Sequence, residues 1–152
     1  MSAPGTVNQP REHIVSPVEL VKLFIDEHAD TEILPGKAVV SGADDPQQQR
    51  GTVALMDAGQ HKLENAAPVI HKRIQCRGMA KNLDHADRIG NFLAELFEYQ
   101  RWLEIEDTSG IVWLVHEMRC TVLPSHHIDS KETFESLAFI VISVGRDPVS
   151  VP

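Results

Sequence analysis

The run Leu137-Ala138-Phe139-Ile140-Val141-Ile142 constrains the fold more than any other feature of the chain. Consecutive β-branched and aromatic residues favour a strand, and a strand turns alternate side chains to opposite faces. This run is apolar on both faces, so each face needs a cover. It falls far short of the roughly 18 apolar residues of a membrane span, and no other stretch of the 152 residues reaches that length. Helices of the same chain can cover one face. A neighbouring subunit can cover the other.

The surrounding segments supply a layered domain. Residues 111–115 run into 116–123, residues 124–131 read as a polar connecting loop, and residues 133–144 form the partner strand of an antiparallel hairpin. Upstream, the 68–78 stretch alternates. Ile70, Ile74 and Cys76 share one face, and His71, Arg73, Gln75 and Arg77 share the other. Lys72 breaks the inner face, which places it near an edge, and Gly78 punctuates the strand. Asn82 or Asp84 can then cap a helix over roughly residues 84–100. Its stripe is Ala86, Ile89, Leu93, Leu96, Phe97 and Gln100, flanked by Phe92. Gly90 costs that helix about 1 kcal/mol relative to Ala, which close packing on a sheet would explain.

An earlier helix starts at Ser16-Pro17-Val18-Glu19, with Ser at the N-cap, Pro at the first helical position and Glu closing a capping box. Val18, Val21, Phe24, Ile25 and His28 follow at helical spacing, and the helix ends before Pro35-Gly36. Residues 38–40 and 52–56 are strand candidates around a long polar loop, residues 41–51, and such a unit often forms a projecting hairpin. Residues 1–15 read as a flexible arm and 147–152 as a tail. The expected order is α-β-β-β-α-β-β. It describes one α+β domain over 16–146, with a mainly antiparallel sheet and two amphipathic helices on one face.

Composition bounds the function. A 42% hydrophobic and 24% charged content is ordinary for a folded domain. The opening residues lack the apolar stretch of a secretory signal, so folding in the cytosol is expected. A net charge of −8 argues against a general nucleic-acid binder. Residues 61–90 are the exception, with Lys62, Lys72, Arg73, Arg77, Lys81 and Arg88 outnumbering Glu64, Asp84 and Asp87. That basic segment can meet an acidic surface of another copy, or simply be a solvated strand face.

Chemistry-bearing clusters are sparse. Cys76 and Cys120 read as buried thiols, and a disulfide needs their strands to be neighbours. His126-His127-x-Asp129 offers metal-ligand types, but adjacent loop histidines seldom aim at one centre, and a polar turn explains them. Asp44-Asp45 and Glu104-x-Glu106-Asp107 can be an acid/base pair or, more simply, solvated loops. Trp102 and Trp113 flank the second cluster and suit core or interface packing. No nucleotide-binding or nucleophile-elbow pattern is present. No catalytic, cofactor or metal residues are expected.

The strand 68–78 closing on Arg77-Gly78, a short gap and the Ala86…Ile89…Leu93…Leu96 helix together resemble the signature of phage tail terminator and minor capsid proteins. The resemblance covers residues 16–145. The chain departs from it in lacking an aromatic residue after Gly78 and in its long 41–51 loop. It implies a homohexameric ring in the virion, assembled in the host cytoplasm, that caps the tail tube and stops its polymerisation. Such a ring joins the tail to the head or neck connector and, in contractile tails, touches the sheath. DNA passes through it without specific binding. A head-completion or neck subunit is the nearest alternative, and a small metal-dependent enzyme a more distant one. On the assembly readings, His71, Arg73, Gln75, Arg77, Asp44, Asp45, Glu104, Glu106 and Asp107 are the expected interface residues.

Overall fold

The computed structural model describes residues 12–35, 39–40, 51–60, 68–128 and 134–152, with backbone only at 39–40, 60 and 122–128. These residues form helices α1 (Pro17–His28) and α2 (Leu83–Leu96). The strands are β1 (Val39–Val40), β2 (Thr52–Gln60), β3 (Val69–Ala80), β4 (Gln100–Glu106), β5 (Val112–Ile128) and β6 (Phe134–Gly145). The sheet runs β1-β2-β3-β6-β5-β4, antiparallel throughout except where β1 pairs parallel with β2. This is the expected α+β fold.

The apolar 137–142 run lies in β6, at the middle of the sheet. Ala138, Ile140, Ile142 and Val144 point to the helical side and are fully buried, beside Ile74 and Cys76 of β3 and Trp113, Val115 and Met118 of β5. Leu20, Val21, Phe24 and Ile25 of α1 and Ala86, Ile89 and Leu93 of α2 close the same core. Phe24 and Phe97 meet at 5.8 Å between ring centroids, joining α1 to the chain just beyond α2. Each buried side chain of this size contributes about 1.5–3 kcal/mol relative to exposure.

Several local readings change. Ser16 stands at the N-cap of α1 but makes no side-chain cap bond. Glu19 does not close a box there; its Oε1 accepts from the Thr108 backbone N–H and hydroxyl, tying α1 to the turn after β4. Gly78 does not end β3, which continues to Ala80. A Cβ at Gly78 would stand 2.4 Å from Ile89 Cγ2, so the glycine admits close approach of α2 to the sheet. Asn82 caps α2 by accepting from the His85 N–H, and the helix ends at Leu96 rather than near 100. Its last carbonyls are met by the Gln100 side chain at Leu96 O (2.9 Å) and by Cys120 N–H at Phe97 O (2.8 Å).

The sheet also differs from expectation. β1 and β2 pair parallel, so they are not a hairpin; residues 41–50 lie outside the described residues. Residues 124–128 are strand, not loop. Leu123 and Pro124 together stand opposite one residue of β6, between the pairs Val122↔Phe139 and Ser125↔Leu137. A bulge leaves a position unpaired, which is where a proline without an N–H fits a strand. An unexpected edge strand, β4, follows α2. Lys72 sits not at a sheet edge but near the start of β3, where its ammonium pairs with Asp57 at 2.8 Å. Neither Cys76 nor Cys120 forms a disulfide, and their strands are separated by β6. Two strand spacings are about 9.6 Å, too far for a disulfide. Burial, with Cys120 nearby, pushes the Cys76 thiol far above its usual range. The expected arm is described only from Glu12, and its Val15 is buried. The C-terminal residues fold back on β5, with Val112 N–H donating to Ser150 O at 2.9 Å.

Candidate functional site

The sheet face away from the helices carries the stripe read from residues 71–77. Arg73 is exposed, and His71, Gln75 and Arg77 are half-buried, alternating with buried Ile74 and Cys76. All four keep the expected side, but their partners differ. His71 Nδ1 and the Ser143 hydroxyl of β6 lie 2.7 Å apart. The Arg73 guanidinium lies 4.5 Å over the Phe139 ring. Arg77 is ion-paired with Glu135 of β6, so its charge is already met within the chain.

Leu137, Phe139 and Val141 of β6 are half-buried on this face, away from α1 and α2. Val141 has Arg73 as its cross-strand partner on β3 and Arg119 on β5. Arg119 is 57% exposed, with Glu117 at 3.7 Å. Towards β2 the face is closed: Thr52, Ala54, Met79 and Glu135 are all buried. Its open part is therefore the middle and the β4 side.

β4 owes its shape to a bulge next door. Between the pairs Val115↔Val144 and Glu117↔Ser143, β5 holds one extra residue, His116, so both His116 and Glu117 turn to the open face. β4 keeps register with β5 across that point, Arg101↔Glu117 and Leu103↔Val115. It does so by placing Trp102 at φ 54°, a left-handed conformation rare for a bulky residue. The Trp102 indole is 63% exposed and stacks on His116 at 4.9 Å. Arg101 lies 4.6 Å over the Tyr99 ring. Beyond the kink, Leu103 and Ile105 face the core while Glu104 and Glu106 are exposed.

Asp107 does not join these carboxylates. Its Oδ1 accepts from Ser109 N–H (2.8 Å) and Ile111 N–H (3.0 Å), and its Oδ2 from Trp113 Nε1–H (2.9 Å). Partial burial opposes its ionisation, yet these donors prevail and hold the carboxyl below the usual aspartate range. It closes the β4–β5 turn. The two tryptophans thus divide: Trp113 is core and Trp102 is surface.

Of the expected interface residues, Asp44 and Asp45 lie outside the described residues; of the metal-ligand types at 126–129, Asp129 lies outside them too, and the side chains of His126 and His127 are not described. Among the described residues, no group of three or more His, Cys, Asp or Glu is placed to hold a metal ion. Among the described residues, His71 and Ser143 bring an imidazole and a hydroxyl together. Base and nucleophile also need a third group orienting the base, whereas Glu117, opposite Ser143, faces Arg119. Arg119 and the Trp102–His116 stack escaped sequence reasoning, because the bulge that aims them leaves no mark on hydrophobic periodicity. No family model matches the chain, and no curated protein matches it.

Proposed function

We propose that the chain is a self-assembling ring subunit of the tail terminator type, a virion protein that closes a phage tail tube at its head end. The observation that carries this reading is the half-buried strip Leu137, Phe139 and Val141 on β6, whose residues facing the helices, Ser136, Ala138, Ile140, Ile142 and Val144, are all buried. Apolar surface of this kind, flanked by exposed arginines, suits burial against another protein. The same chain offers exposed carboxylates on β4, so a second copy brings the complement. The resemblance of residues 16–145 to tail terminators supplies the geometry of the assembly: a homohexamer between tail tube and connector. On this reading the chain acts by contact and not by catalysis.

The test is direct. The purified protein should have a mass near six chains by light scattering and appear as rings in negative stain. A monodisperse monomer at tens of micromolar would overturn the reading.

A further inference from the structure

We propose, resting on the ring reading above, that copies join edge to face: the acidic β4 edge of one seats on the Arg73–Phe139–Val141–Arg119 patch of the next. Several observations lead there. The net charges of the two surfaces are opposite: Glu104 and Glu106 outnumber Arg101 on the edge, and Arg73 and Arg119, on either side of Val141, outnumber Glu117 on the face. Their spacings agree within side-chain reach. Carboxylates two residues apart along a strand are about 7 Å from each other, and residues two strands apart about 9.6 Å. Arg119 meets Glu117 only at 3.7 Å with both side chains part-exposed, whereas Arg77 and Asp107 are held closely inside the chain and drop out of the contact.

Trp102 supplies the anchor. A tryptophan that stands 63% exposed on a left-handed backbone is costly twice, in strain and in hydrated apolar surface. Seating the indole beside Phe139 and Val141 buries that surface, and tryptophan and arginine are the residues that dominate such contacts. The kink at Trp102 also interrupts the β4 edge, so an added strand cannot pair continuously along it and docking runs through side chains. Finally, the β4 strip and the Arg73–Arg119 patch are different patches of the open sheet face. A contact between unlike surfaces is head-to-tail, and head-to-tail contacts close into rings when the rotation allows.

The experiment reverses the charges of each surface separately. Glu104→Arg with Glu106→Arg, and Arg73→Glu with Arg119→Glu, should each remain folded by circular dichroism and lose rings, with assembly weakened at least tenfold. In an alternating ring one contact sets native edge on native face and the next sets reversed edge on reversed face, each of opposite charge, so mixing the two should restore rings of alternating composition. Acrylamide quenching gives a second readout, because Trp113 is 1% exposed and Trp102 carries the accessible fluorescence. Quenching should fall severalfold in rings and return in either variant. If Arg73→Glu unfolds the chain by removing the stack on Phe139, Arg119→Glu alone carries the test. Reversals that leave rings intact, or folded variants that fail to reassemble when mixed, would overturn this contact while the ring reading stands. An unsubstituted chain that is itself monomeric would remove both.

Discussion

At Gly78 a single missing side chain sets the distance between α2 and the sheet. The Ile89 Cγ2 would lie 2.4 Å from a Cβ there, and Ile89 Cβ 3.2 Å, so a methyl cannot be added without displacing a stiff β-branched residue. Gly78→Ala should therefore destabilise the protein by about 1–3 kcal/mol in urea unfolding, the usual cost of overpacking. Combined with Ile89→Ala, the total loss should be smaller than the sum of the single losses, because the two share one space. A strictly additive pair would show that α2 does not press on Gly78. Asp107 makes the second residue-scale prediction. Its folded carboxyl is held below the ordinary aspartate value of about 3.9. Its stabilising contribution is thus fully present above that value and is lost as pH falls through the lower folded value. Acid titration of thermal stability should be steeper below about pH 4 in the unsubstituted chain than in Asp107→Ala. Identical acid limbs would show that the turn bonds to Trp113, Ile111 and Ser109 do not protect the ionised form.

At the scale of elements, the two helix starts look alike in sequence and behave differently. Asn82 accepts from His85 N–H at 2.8 Å, whereas Ser16 makes no cap bond. Asn82→Ala should cost about 1 kcal/mol and Ser16→Ala less than about 0.5, readable as shifts in the urea midpoint. Equal costs would contradict the caps as described. Helix positions and the strands built on strong periodicity, β3 and β6, were legible in the sequence because burial repeats at fixed spacing within each segment. β4 was not read, although Leu103 and Ile105 alternate with Glu104 and Glu106. Four acidic or aromatic residues around them mask a two-residue apolar signal. The end of β5 was misread for a related reason: Pro124 and polar neighbours are loop-like by composition, and only the register with β6 turns them into a bulged strand. The pairing of β1 with β2 was unreadable in direction, since periodicity fixes faces and not strand polarity.

At the scale of the molecule, the site was half legible. The 71–77 stripe follows from alternation alone, and so does the doubled apolar character of 137–142. Which charges stay available does not, because Arg77 meets Glu135 from 58 residues away and a bulge aims Trp102, His116 and Glu117. The apolar strip itself makes a prediction that separates an assembling chain from an isolated domain with a wet sheet face. Anything that binds the folded form alone adds stability by mass action, and here the ligand is another copy. For a ring, each tenfold rise in protein concentration should stabilise each chain by about 1 kcal/mol. In a domain of this size that corresponds to an increase of roughly 2–4 °C in Tm. Phe139→Ser with Val141→Ser alters side chains on the face away from α1 and α2. At concentrations where the unsubstituted chain is dissociated, the loss should be modest, chiefly the Arg73 stack and part-buried area. At high concentration the double variant should show no gain in Tm at all. A concentration-independent Tm in the unsubstituted chain, or an unchanged concentration dependence in the variant, would mean that the open face of this sheet meets only water.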